Sequence, residues 1–401
     1  MPEYSYKAVN NQGKVIEDTL EAPNVKVVSE KLDKLGYIPI KIKEQKSKNF
    51  EFFSSKEKVK HEEVVMFTKQ LNTLLRAGVP FLTSLEALTE QASSETMRKV
   101  IQDLYVSVES GKSFSEALVG HSNIFNKLFI SSVRAGEISG QMEDVLDRMT
   151  TVMEYDKETK DKIKSALRYP IIVVCALAIA FIVLILVVVP KFTAMFAKMG
   201  ADLPIPTRIL IGMNDLIQGY GLIILPIIIV LVVVFFKWKS SEKGSKIWDA
   251  RLLKFPVIGD LILKNCMSRF SRMFETLNRS GLPILQTFEI VAETVGNSAI
   301  GDEILNISKG VERGEGIARP LKRSGLFPPM VVRMIAIGEQ SGSLDEMLAN
   351  VSKHYDVEVD FAVKKMSSMI EPLLTLTIGI FILFLALSIF LPMWNMMDMV
   401  N

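Results

Sequence analysis

Three patterns of apolar and polar positions follow one another along this chain. At the amino end, Tyr4-Ser5-Tyr6-Lys7-Ala8-Val9 alternates and is rich in strand formers. Asn10-Asn11-Gln12-Gly13 has the composition of a turn, and Lys14–Leu20 can return as a second strand. Val25, Val28, Leu32 and Leu35 then recur at helical spacing, Gly36 stands where a helix would stop, and Tyr37–Ile42 reads as a third strand. Residues 1–45 are therefore expected to form a small ββαβ unit with little core of its own. A charged linker over 46–60 should follow it.

The second pattern is helical. Val64, Phe67, Leu71 and Leu74 form one apolar stripe, and Gly78-Val79-Pro80 stops that helix and starts the next. Further helices fit Ser94–Glu109, a short piece from Ser113 and the stretch from Asn126 to Ala135. Ser113-Phe114-Ser115-Glu116 has the spacing of a capping box. Gly136-Glu137-Ile138-Ser139-Gly140 reads as a turn, after which a long helix starts near Gln141. Only Pro170 interrupts it before Val189, so a bend is expected there.

The third pattern consists of uncharged runs long enough to cross roughly 30 Å of hydrocarbon. They are Tyr169–Val189, Leu216–Phe236 and Pro372–Met397.

The sequence then presents much of this plan a second time. At an offset of 203, Phe67 meets Phe270, Leu74 meets Leu277, Gly78 meets Gly281, Pro80 meets Pro283 and Gly111 meets Gly314. One residue is lost, and at 202 Phe125 meets Phe327, Gly136-Glu137 meets Gly338-Glu339, and Gly140 meets Gly342. Pro170 likewise meets Pro372 and Pro190 meets Pro392. A fixed offset of this kind marks tandem duplication of one structural unit. The expected plan is mostly α: a first helical repeat over 61–168, a span over 169–190, and an extracytoplasmic loop over 191–215. A second span covers 216–236, a second repeat 237–371, and a third span 372–397.

Charge orients this plan. Lys157, Lys160, Lys162, Lys164 and Arg168 precede the first span, Lys237, Lys239, Lys243 and Lys246 follow the second, and Lys364 and Lys365 precede the third. The loop between the first two spans carries Lys191, Lys198 and Arg208, and no base follows the third. By the positive-inside rule both repeats and the amino terminus are cytoplasmic and the carboxyl terminus lies outside. The unduplicated middle span returns the chain so that both copies enter the membrane from the same side. No basic n-region with an apolar h-region opens the chain, so insertion falls to these internal spans. The formal charge is +2 overall, with 47 Lys and Arg against 45 Asp and Glu, which gives no global basic field for nucleic acid. The two cysteines, Cys175 and Cys266, fall in unlike surroundings and suggest neither a disulfide nor a metal cluster.

Catalytic chemistry finds little support. Gly111-Lys112-Ser113 resembles the end of a phosphate-binding loop, but Val106 occupies the position of the required first glycine and the context is helical. His61, His121 and His354 are scattered. Glu143, Asp144 and Asp147 could hold calcium, or simply form a solvated helix start favoured by the dipole. Glu371, beside Pro372, stands where the third span begins; it could mark a proton path or face water or a basic partner. The middles of the spans carry no ionisable group, which weakens a transporter or channel reading. The Gly-Glu-x-x-Gly turn occurs twice, and two readings are open: a tight turn kept by duplication, or a fixed glutamate presented to a partner.

These residues resemble the inner-membrane platform proteins of type II secretion and type IV pilus assembly. The resemblance covers nearly the whole chain. It runs through Tyr4–Ala8, Gly13, Glu21-Ala22 and Leu32 to Gly36, then Leu74–Pro80 and its copy Leu277–Pro283. It continues through Gly136–Gly140 and its copy, Tyr169-Pro170 and Ile370-Glu371-Pro372. Met142 departs from the apolar residue more usual in the first copy, while Glu143-Asp144 keeps the acidic pair. The resemblance implies a non-enzymatic hub with six-helix cytoplasmic domains and no cofactor or metal. Its implied partners are a cytoplasmic assembly ATPase, pilins or pseudopilins, other inner-membrane assembly proteins, and further copies of itself. Contact with partners is expected at Gly136, Glu137, Gly140, Gly338, Glu339 and Gly342. Pro170, Glu371 and Pro372 are expected to mark where helices meet the bilayer. The alternatives are a transporter or channel subunit and a membrane-anchored scaffold of another pathway.

Overall fold

The structure is a computed structural model. It describes residues 3–9, 15–22, 24–34, 36–45, 59–190 and 204–400. The turn expected at Asn10–Gly13, most of the linker and residues 191–203 lie outside the described residues. The chain divides into two units, residues 1–58 and 59–401.

The first unit is a three-stranded antiparallel sheet carrying one helix. Strand β1 (Glu3–Val9) lies between β2 (Val15–Glu21) and β3 (Ile38–Gln45), with Tyr4 opposite Leu20 and Val9 opposite Val15. Alternation along β1 sends Tyr4, Tyr6 and Ala8 to one buried face, where Val28 and Leu32 of α1 (Val25–Lys34) cover them. Pro39 has no N–H to offer a ladder and sits in β3 at the sheet edge, where that loss is tolerated. The expected ββαβ order is thus the observed one.

The second unit is helical and shows the duplication directly. The first repeat comprises α2 (His61–Arg76), α3 (Phe81–Gln91), α4 (Glu95–Glu109), α5 (Phe114–Val119), α6 (Lys127–Ser139) and α7 (Met142–Val183). The helix α8 (Ile205–Ser240) and a further helix α9 (Glu242–Leu253) come next. The second repeat is α10 (Ile258–Arg279), α11 (Ile284–Thr294), α12 (Ser298–Glu312), α13 (Ala318–Ser324), α14 (Pro329–Ser341) and α15 (Leu344–Val400). Each copy therefore has six helices.

Matched residues do matched work. Phe67 meets Phe125 edge-on at 6.0 Å between ring centroids, and Phe270 meets Phe327 edge-on at 5.2 Å. Leu71 and Phe67 are buried in one copy, and Phe270 and Phe274 in the other. The two sets join in one continuous apolar core, with α7 of the first repeat against α10 and α15 of the second, and α6 against α11. Burial of these stripes, more than helix propensity, is what holds such short helices in place.

Three helices are long and apolar enough to cross a membrane: Met142–Val188, Ile205–Ser240 and Leu344–Ser388. Their apolar windows are almost wholly uncovered by the chain, as lipid-facing helices should be. Near their far ends Ile185, Val189 and Leu210 are buried beside Phe384, and Thr207 Oγ1 donates to the Ser388 carbonyl at 2.8 Å. Phe181 packs edge-on against Phe381 at 5.5 Å. At the end of the first span, Leu184–Val188 winds as a π-helical turn.

Candidate functional site

The Gly-Glu pairs lie within helices, which corrects the expectation that they form turns. Helix α6 continues through Ser139 and α14 through Ser341, so Gly136, Glu137, Gly338 and Glu339 are all helical. Only Gly140 (φ 69°) and Gly342 (φ 70°) turn the chain, in the left-handed conformation that glycine adopts without penalty. Gly136 is needed for a different reason. A Cβ there would meet the Val145 side chain at 3.1 Å, and one at Gly338 would meet the Leu344 backbone at 2.8 Å. The first glycine of each motif therefore lets one helix lie hard against the long helix that follows it.

Both glutamate carboxylates accept backbone hydrogen bonds from the start of a neighbouring short helix, Glu137 half-buried and Glu339 exposed. Phe114 N–H donates to Glu137 Oε1 at 2.5 Å, and Ser115 N–H donates to Oε2 at 3.2 Å. In the second copy Ile317 N–H donates to Glu339 Oε1 at 2.8 Å and Ala318 N–H to Oε2 at 3.1 Å. Each carboxylate thus binds two unpaired amides at the start of a short helix and opposes the positive end of its dipole. Helix α5 also has the expected capping box between Ser113 and Glu116. Helix α13 has none, and Gly316 stands where Ser113 stands in the first copy, so Glu339 has the larger share of the capping there. Gly111 (φ 96°), Lys112 and Ser113 belong to this junction, as helix capping rather than as a phosphate loop.

The acidic start of α7 is also accounted for locally. Asp147 accepts from Asn72 at 3.1 Å and pairs with Arg76 at 3.3 Å, while Glu143 and Asp144 occupy the first turn. Among the described residues no three His, Cys, Asp or Glu side chains converge as metal ligands.

Pro170 lies inside α7, so the Ala166 carbonyl lacks its usual helical donor. Pro372 does the same for Ser368 within α15. Just before both prolines the two long helices pack side by side. Val359, Ala362, Val363 and Met366 are buried against Ile163, Ala166 and Leu167, and Lys162 pairs with Asp360 at 2.7 Å. Glu371 is exposed at this boundary.

One polar cluster went unforeseen. Arg269 of α10 pairs with Asp156 of α7 at 3.1 Å, across the repeats, with both side chains largely buried. One turn on, Arg272 pairs with Asp356, to which Ser268 Oγ donates at 2.5 Å, and its guanidinium lies 4.1 Å from the Tyr155 ring centroid. Burial, with the Asp356 charge adding to it, pushes the Tyr155 phenol up to about 12. The Arg272–Asp356 pair has a counterpart in the first copy, Lys69–Glu154 at 2.8 Å, which the offset could have revealed. Arg269–Asp156 joins different elements of the two copies, and no internal alignment pairs them.

Comparison with known proteins gives this duplicated architecture its place. The family model described as "Type II secretion system (T2SS), protein F" matches residues 67–190 and again 270–392. The model for that protein's N-terminal domain matches residues 1–43. The chain belongs to the type II secretion protein F family. Similar proteins within the family carry two kinds of name. The type IV pilus assembly protein PilC of Thermus thermophilus is 34% identical over 406 residues, covering 98% of each chain. PilC of Myxococcus xanthus is 32% identical over 98% of this chain and 95% of its own. The type II secretion system protein F of Xanthomonas campestris is 30% identical over the full length of both. In the terms of the protein F family, the two matched blocks are the two six-helix repeats, each with the membrane helix that leaves it.

Proposed function

We propose that this protein is an inner-membrane platform of a type IV pilus or type II secretion machine, coupling a cytoplasmic assembly ATPase to the insertion of pilins or pseudopilins into a filament. The observation carrying this reading is the pair of family domains, each ending in a helix that runs unbroken from soluble bundle into apolar span. Full-length relatives named for both machines support it. Helix α7 passes from Met142 to Val183 and α15 from Leu344 to Val400. At about 1.5 Å per residue each is longer than a bilayer is thick, so a displacement of the bundle reaches the membrane without an intervening loop. Pro170 and Pro372, which release one backbone hydrogen bond each, are the points at which these levers can flex. No bond chemistry is required of the chain itself; it acts mechanically, in the inner membrane, as an assembly of several copies. In this reading Glu137 and Glu339 serve partners indirectly, by fixing the positions of α5 and α13.

A clean deletion in the source organism, scored for surface filaments and for the secreted proteome, tests the proposal. Loss of filaments alone places the protein in a pilus. Loss of secreted proteins with filaments intact places it in type II secretion. If a deletion with no second gene of this family present alters neither filaments nor secretion, the proposal is overturned.

A further inference from the structure

The two repeats share a fold but differ sharply in charge at one place. Residues 316–342 contain four bases, Arg319, Lys322, Arg323 and Arg333, against one acid, Glu339. The matched residues 113–140 contain two of each, Lys127 and Arg134 against Glu116 and Glu137. At the offsets that align the copies, Arg319, Lys322 and Arg333 replace Glu116, Val119 and Ser131. The capping bonds from Phe114 and Ile317 fix that register independently of the alignment.

In three dimensions Arg319, Lys322 and Arg333 surround one concavity of about 970 Å³ between α13 and α14. Pro329, Val332 and Ala336 form its accessible apolar side over the buried Phe327, and Arg319, Lys322 and Arg333 are exposed around it. The acids nearby are already engaged. Glu315 holds Arg313 at 3.0 Å and Arg323 at 2.8 Å, and Glu339 caps α13. Among the described residues Arg319, Lys322 and Arg333 have no hydrogen-bond or ion-pair partner. Three like charges around a half-apolar hollow repel one another, an arrangement that an anionic, partly apolar occupant relieves.

The position in the fold selects among anions. Gly338, one residue before the capping glutamate, lies against Leu344, the first residue of α15. At about 1.5 Å per residue that end of α15 is roughly 40 Å along the helix from Pro372, where the apolar span begins. Lipid headgroups there would be several screening lengths away, since the Debye length is about 8 Å at physiological salt.

We propose that this concavity of the second repeat docks an acidic segment of a soluble protein, with carboxylates on Arg319, Lys322 and Arg333 and apolar side chains on Pro329 and Val332. The proposal gives a place to the soluble partner of the platform reading, and its test is separable from that reading.

The experiment uses the full chain in living cells of the source organism, with a photoreactive amino acid at Val332, Ala336 or Gln340. The expected result is an adduct with a soluble protein through an acidic segment. Both the reversal Arg319→Glu/Lys322→Glu/Arg333→Glu and its neutral form Arg319→Gln/Lys322→Gln/Arg333→Gln should lower the yield, the reversal by at least about tenfold. Replacing the crosslinked acids with lysine should restore the adduct to the reversed protein. An adduct with a second copy of the chain, an adduct with lipid, a yield indifferent to both triple variants, or no adduct at any of the three positions overturns the proposal. If deletion spares both filaments and secretion while the charge-dependent adduct persists, the machine assignment falls and the docking surface stands.

Discussion

At the scale of single residues, duplication acts as an internal control. Glu137 and Glu339 each bind two successive amides at the start of the short helix of their own copy, α5 and α13. Glu137→Ala and Glu339→Ala should each cost about 1 kcal/mol locally, the usual worth of a helix cap. Hydrogen exchange at Phe114–Ser115 and at Ile317–Ala318 reads this directly; protection should fall in the altered copy only. The effect should be larger at Glu339, because α13 lacks the capping box that α5 retains. A lysine at either position places a cation against a helix N-terminus and should free that helix altogether. Tyr155 supplies a second residue-scale test. Its phenol is held up to about 12 in the fold against 10 when unfolded, so the native state keeps a proton that the unfolded state releases. This contribution to stability is complete below pH 10 and is lost as pH rises from 10 towards 12. Tyr155→Phe should therefore flatten the alkaline fall in thermal stability of the solubilised protein, and remove a late-ionising phenol from its ultraviolet titration.

At the scale of elements, the contact between α7 and α10 decides how the copies sit together. Removing one partner of a largely buried ion pair leaves the other charge stranded, at about 3 kcal/mol or more. Arg269→Met should accordingly destabilise the solubilised protein more than Lys69→Met, whose pair with Glu154 is exposed. Comparison of the two melting temperatures checks this; equal losses would mean the buried pair does not join the repeats. Lys162–Asp360 ties α7 to α15 just before the prolines, with both side chains partly exposed. Lys162→Asp alone should loosen the pair modestly, by no more than about 1 kcal/mol, and adding Asp360→Lys should recover much of it. Melting curves of the single and double variants measure the coupling.

At the scale of the whole molecule, the charge pattern predicts how the chain lies across the membrane. The bases gathered before the first span, after the second and before the third predict both repeats inside and the carboxyl terminus outside. A periplasmic reporter fused after Asn401 should be active, and one fused after Ser240 inactive. The opposite pattern would reverse the platform, and the soluble partners proposed for it could not reach the repeats.

Much of this was legible from sequence because it rests on local periodicity and repetition. The strand alternation at Tyr4–Val9, the stripe through Phe67 and Leu71, the three apolar runs and the doubled glycines each follow from backbone geometry or solvent. Neither depends on which distant residues meet. The offset of 203 and then 202 also marked two copies of one helical unit, since most landmarks of one copy predicted a twin in the other. Tertiary structure alone showed which backbone groups the Gly-Glu motif holds. As a string, Gly-Glu-x-x-Gly is indistinguishable from a turn; only the approach of α5 to α6, and of α13 to α14, shows each glutamate capping a short helix. The same holds for Arg269–Asp156 and for the basic hollow around Phe327. Those groupings arise from helices brought together by burial of a common core, and side chains far apart in sequence carry no local mark of the partner that packing will bring them.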